Sequence, residues 1–254
     1  MIDITQRLAL LMLGLLLSLS LAGAAKAENA LLPGIGAQDH RAAVDSRAMP
    51  WSAIGRVNRR IGGYCTGTVI GPRRVLTAAH CLWNKRTRAW LPPQSFHFVS
   101  GYGAGKYLAD ADIAAVRVAP GYDPAAAPTA ASNLERDWAV LTLDRDIGKL
   151  VGIVPLADAA DRERDLTGTR LVHAGYSQDK AHVLTIHDGC AVLWAPPGSP
   201  VLRHDCDATK GDSGSPILVR EEGAMRVLGI HVASMTRGGT PVGLAVLVPQ
   251  DLPE

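Results

Sequence analysis

The chain has no surplus of either charge. Its 254 residues carry 26 Lys and Arg against 24 Asp and Glu, a net charge of +2. No basic block stands out, which removes the electrostatic footprint of a nucleic-acid binder. Long apolar runs are missing beyond Leu21, so nothing downstream can span a bilayer. Helical periodicity is weak throughout. Cysteine is scarce, with only Cys65, Cys81, Cys190 and Cys206, and their spacing makes neither a zinc ribbon nor a C-x-x-C redox pair.

What is present is a leader. Arg7 precedes an apolar run from Leu8 to Leu21, and Ala25-Lys26-Ala27 follows with the small residues of a cleavage site. The run is too short for a membrane span of about 20 residues. Residues 1–27 therefore read as a signal peptide cleaved after Ala27, giving a secreted or periplasmic protein with no membrane attachment after removal. In an oxidising compartment four cysteines imply two disulfides, with three pairings open.

Residues 28–48 are polar and without period, a pro-segment or an N-terminal arm. Beyond them, short β-type runs alternate with Gly and Pro turns, supplied by 26 glycines and 16 prolines. Ala53-Ile54-Gly55-Arg56-Val57 reads as the first strand and Ile61-Gly62-Gly63 as its turn. Cys65–Ile70, Val75–Thr77, Phe96–Val99, Ile113–Val118, Trp138–Leu143, Arg170–Tyr176, Val183–Ile186, Pro216–Val219, Arg226–Val232 and Val242–Val248 follow. Asp110 and Asp112 fall in an Ala-rich polar loop, and a single turn of helix fits near Ala79–Trp83. The pattern is all-β; periodicity alone does not choose sandwich from barrels.

Three segments carry chemistry. Lys210-Gly211-Asp212-Ser213-Gly214-Ser215-Pro216 sets a serine among glycines, which keep Oγ accessible and backbone N–H groups unscreened. Leu76-Thr77-Ala78-Ala79-His80-Cys81 offers an imidazole that titrates near neutral pH. Asp137-Trp138-Ala139-Val140-Leu141 places a carboxylate directly before an apolar strand. A serine hydroxyl needs an adjacent base, and the base needs an orienter.

Together these segments resemble the chymotrypsin-like serine peptidases, and more closely the bacterial branch that includes the glutamyl endopeptidases. The chain order His80, Asp137, Ser213 is that family's, whereas α/β-hydrolases and subtilisin-like enzymes use other orders. The resemblance covers roughly Pro50 to Val248. It implies two antiparallel six-stranded β-barrels in residues 49–254, the first in about 49–150 and the second in about 151–254, with the active site in the cleft between them. It implies His80 as base, Asp137 as orienter, Ser213 as nucleophile, and the N–H groups of Gly211 and Ser213 as an oxyanion hole. It pairs Cys65 with Cys81, which leaves Cys190 for Cys206.

The substrate is then a protein or peptide, handled by a monomer without metal or organic cofactor; a structural calcium stays open. Asp207 stands where trypsin-like enzymes keep the acid that binds Lys or Arg, yet it also fits a D-C-D element of the glutamyl branch. His231, with Ser234 in Gly229-Ile230-His231-Val232-Ala233-Ser234, matches that branch's carboxylate-binding element, while Ala208 replaces its usual threonine. The residue before the cleaved bond, P1, is left open among glutamate, basic and small side chains. Asp212 is the position that pairs with a freed α-amino group in trypsin-like zymogens. Arg60-Ile61 is too close to Cys65 to supply that terminus, which puts the mature N-terminus upstream, near Asp39. A catalytically silent binding homologue and an esterase with the same triad are the rival readings.

Overall fold

The computed structural model describes residues 32–126, 130–237 and 240–252. The leader and its cleavage site lie outside the described residues.

The first barrel is built from β2 (Ile54–Arg59), β3 (Tyr64–Gly71), β4 (Arg74–Thr77), β7 (Phe96–Ser100), β8 (Ala109–Val118) and β9 (Ala139–Leu143). They close in the order β2-β3-β4-β9-β8-β7, all neighbours antiparallel. Alternation explains the inward face. On β7, Phe96, Phe98 and Ser100 are buried while His97 and Val99 are not, so the chain's two phenylalanines fill one barrel from one strand face. A short ribbon of β5 (Trp83–Asn84) and β6 (Ala89–Trp90) follows the histidine turn.

The second barrel uses β10 (Arg170–Gly175), β11 (Thr185–Trp194), β12 (Val201–His204), β13 (Pro216–Glu221), β14 (Ala224–Arg237) and β15 (Thr240–Leu247). Its order β11-β10-β13-β14-β15-β12 closes through a β12–β11 pairing. Closure removes open sheet edges. The far end of β11 pairs with β12, and its near end with β1 (Ala42–Ala43), a strand of the N-terminal arm.

Two expectations need correction. Asp110 and Asp112 lie on β8, not in a loop: they alternate with buried Ala109, Ala111 and Ile113. Their side chains face outward onto His97, Arg60 and Arg145. The strand expected at Val183–Ile186 is the ten-residue β11, whose polar His187-Asp188-Gly189 centre hid its length. The strand at Val201–His204 was not anticipated.

The crossover between barrels is pinned to both. Val154 N–H donates to Val69 O of the first barrel at 3.0 Å, and Val227 N–H of the second donates to Pro155 O at 2.8 Å. Disulfides join Cys65 to Cys81 and Cys190 to Cys206. Among the described residues no helix is long and apolar enough to cross a membrane.

Candidate active site

His80 sits on the 3-10 turn Ala79–Leu82, directly after β4 and beside the Cys81–Cys65 bond. Asp137 is buried immediately before β9, and β9 pairs with β4. That pairing brings the two residues together. Asp137 Oδ1 accepts the backbone N–H of His80 at 2.9 Å, and Oδ2 accepts from its Nδ1 at 2.7 Å. With Nδ1 carrying the proton, Nε2 is left as the basic nitrogen.

Ser213 comes from the second barrel, on the turn before β13. It shares with His80 a cleft of about 630 Å³, bordered by Gly211 and the Cys65–Cys81 bond. Thr66, on β3, couples the barrels at this point. Its N–H donates to Ser213 O at 2.9 Å, its Oγ1 donates to Gly211 O at 3.0 Å, and Thr66 Oγ1 also accepts Tyr176 N–H at 3.1 Å. Sequence reasoning missed Thr66, because a threonine inside a strand carries no local signal. Gly211 holds φ +95°, and a Cβ there would come within 2.4 Å of Tyr176 O, so only glycine fits this turn. Among the described residues the N–H groups of Gly211 and Ser213 have no internal acceptor, as donors to a developing oxyanion require.

Asp212 is fully buried between them. Its Oδ2 accepts from Ser177 Oγ at 2.7 Å and Thr209 N at 2.8 Å, while Oδ1 has no partner. Ser215 Oγ, also unpartnered, lies beside that oxygen over Gly175. Burial outweighs its two hydrogen bonds and pushes the Asp212 carboxyl up to about 7.

Behind the cleft runs a chain of hydrogen bonds with one consistent direction. Cys206 N–H donates to His204 Nδ1 at 3.1 Å, which places the His204 proton on Nε2. His204 Nε2 then donates to His231 Nδ1 at 3.1 Å, and His231 Nε2 to Ser234 Oγ at 3.1 Å. Ser234 Oγ donates to Ala208 O at 2.6 Å. Burial holds all members neutral: the His204 imidazole falls to about 3, and those of His231 and the adjoining His173 fall well below the usual value. A register shift interrupts the β14–β15 pairing between His231 and Ala233.

The N-terminal arm packs against the same residues. Gly34, at φ +89°, packs so tightly that a Cβ would lie 1.9 Å from Ala208 O and 2.6 Å from Ser234 Cβ. Ala208 N–H donates to Gly34 O at 3.0 Å. Asp207 faces this arm. Its Oδ1 accepts Gly36 N–H at 2.7 Å, and its Oδ2 accepts both the N–H and Nδ1–H of His40 at 2.8 and 2.9 Å. Arg41, buried, grips Asp39 and Asp179. The arm is thus packed upstream of Asp39, where a mature terminus had been expected.

Three groupings among the described residues have metal-ligand chemistry. In two of them the sulfurs are committed to disulfides. In the third, His40, His187 and Asp207, the His187 Nδ1 lone pair already accepts Asp207 N–H at 2.9 Å.

Comparison with known proteins agrees with this fold. A family model for the trypsin-like peptidase domain matches residues 65–230. The chain is 27% identical over 194 residues to glutamyl endopeptidase of Bacillus licheniformis, covering 76% of this chain and 57% of that relative. The match thus spans little more than half the relative's length. A solved structure of Glu endopeptidase in complex with MPD superposes with a TM-score of 0.69 at 25% identity, over 85% of this chain and 94% of the other. The chain therefore belongs to the trypsin-like peptidase domain family and is a chymotrypsin-like serine peptidase by fold.

Proposed function

We propose that this protein is an exported serine endopeptidase that works through a Ser213 acyl-enzyme. The observation that carries the reading is the double grip of Asp137 on His80, at the edge of a cleft shared with Ser213. His80 Nε2 takes the Ser213 Oγ proton as Oγ bonds to the scissile carbonyl carbon. The oxygen, now anionic, accepts from the N–H groups of Gly211 and Ser213. His80 then gives its proton to the amide nitrogen as the C–N bond breaks, and the amine leaves. Water, deprotonated by His80, cleaves the ester and regenerates Ser213.

The P1 side chain enters the recess of His231, Ser234 and Ala208. We read it as acidic, because His231 and Ser234 match the carboxylate-binding element of the glutamyl branch; their N–H and O–H, held by Ser234 Oγ and Ala208 O without substrate, would turn to the carboxylate on binding. The named relatives, both Glu endopeptidases, favour the same choice. Asp207 does not serve as an acid for Lys or Arg in this reading, since both its oxygens are engaged by the arm. The mature chain keeps the arm from Gly34 onward, because it packs against Ala208 and Ser234. Two disulfides support an oxidising destination, periplasm or medium.

Digestion of a peptide library with mass readout tests the assignment. Cuts after Glu that are lost in His231→Ala support it; cuts confined to Lys or Arg would overturn the acidic P1.

A further inference from the structure

The walls of the active cleft carry one sign of charge. Arg59, Lys85, Arg86 and Lys210 line it, and no aspartate or glutamate does. Arg41, Arg60, Arg145 and Arg220 each hold a carboxylate within 3 Å, whereas the four in the cleft hold none among the described residues. Lys85, Arg86 and Lys210 are exposed. Arg59 Nε is buried without a hydrogen-bond partner, and its guanidinium folds over Gly63 at the cleft wall. A fifth cation lies just behind: Arg56 stacks 3.9 Å from the centre of the Tyr64 ring, and Tyr64 lines the cleft. A concave surface with one sign of charge focuses its field on whatever enters.

The direction of the chain through the site says which part of a substrate meets this field. Ser213, His80 and Gly211 line the cleft, but Ala208, His231 and Ser234 do not. They lie outside it, and Val232, the neighbour of His231, lines a separate hollow with His80 and Asp137. If P1 enters the recess at Ser234, the residues after the scissile bond cross the Cys65–Cys81 bond and run between Arg59, Arg86 and Lys210.

We infer that the leaving-group side of this site selects carboxylate side chains at the first to third positions after the cleaved bond, with Arg59, Lys85, Arg86 and Lys210 as specificity-determining residues. The inference rests on the proposed peptidase reading and adds to it a second, downstream selection. The natural substrate is then an acidic segment on both sides of the cut. Exposed pairs are weak, so each downstream Asp or Glu raises kcat/KM about two- to fivefold at low ionic strength. Screening should remove most of that gain near 1 M salt, where the Debye length is about 3 Å.

The test uses the mature protein, a fluorophosphonate probe and a proteome-derived peptide library read by mass. A protein that takes the probe and enriches Asp and Glu at the three downstream positions, with enrichment that fades in salt, supports the inference. The variant Lys85→Glu/Arg86→Glu should erase or reverse the ratio of kcat/KM for acidic over lysine-bearing downstream sequences. A labelled protein with a flat or basic downstream preference, or an acidic preference unaltered by salt, overturns this inference alone. Failure of the probe to label overturns the peptidase reading and the inference with it. The salt series on the unaltered chain keeps the test valid should the double variant not fold.

Discussion

Asp207 takes two hydrogen bonds from a single residue of the N-terminal arm, the backbone N–H and the ring Nδ1–H of His40, at 2.8 and 2.9 Å. A carboxylate six positions before Ser213 thus fastens the arm to the second barrel. The arm in turn places Gly34 against Ser234. The arm therefore packs against the residues proposed to hold P1, and Asp207 fastens it without being one of them.

Asp207→Asn separates anchoring from recognition. It replaces an acceptor oxygen with an NH2 group facing N–H donors, and hydrogen bonds to a charged group contribute about 1.5–3 kcal/mol. The melting temperature should fall and limited proteolysis should cut between Gly34 and Ala43. P1 preference should persist. An altered preference with unchanged stability would return Asp207 to the pocket.

Asp212 gives a pH dependence. Its folded carboxyl titrates at about 7 against 3.8 for the free side chain. Stability from this group is complete below pH 4 and is lost as pH rises through 7, a difference of roughly 4 kcal/mol at 1.36 kcal/mol per pKa unit. Asp212→Asn can still accept from Ser177 and Thr209 and can donate to Ser215 Oγ. Urea unfolding should show the variant equal to the parent near pH 4 and more stable at pH 8. A variant less stable at pH 8 would mean that a cation pairs with Asp212.

The buried histidines act in the opposite direction. His173, His204 and His231 are held below the value of the free imidazole. Their contribution is present above about pH 6.5 and is lost as pH falls toward the folded values. Unfolding between pH 6.5 and 4 should take up protons, and His204→Gln should reduce that uptake by about one. An unchanged proton uptake would show that His204 is charged in the folded protein.

The segments that bear Ser213, His80 and Asp137 were legible because each is local. Thr-Ala-Ala-His-Cys, the aspartate before an apolar strand, and the serine among glycines are each written in a few consecutive residues. The disulfides were legible from an even count and the family's pattern. What was not legible depends on distant contacts. The arm looks unstructured because its partners, Asp207 and Ala208, stand about 170 positions away. Asp110 and Asp112 looked like loop residues because their strand's outer face is charged and their inner face is small. The line from His204 to Ser234 joins β12 to β14, which β15 separates in the sheet, and no spacing along the chain announces it.

Asp137→Asn tests the grip on His80. The amide would favour the wrong imidazole tautomer while leaving the packing intact, and kcat should fall about 10⁴-fold with melting little changed. A loss of less than tenfold would mean that another group orients His80.

The central claim is that Ser213 is the nucleophile, and covalent labelling addresses it most directly. The mature protein is treated with a fluorophosphonate, digested, and mapped by mass spectrometry. The account predicts one adduct, on the peptide bearing Ser213, absent in Ser213→Ala and strongly slowed in His80→Ala. No adduct, or an equal yield in Ser213→Ala, would contradict it.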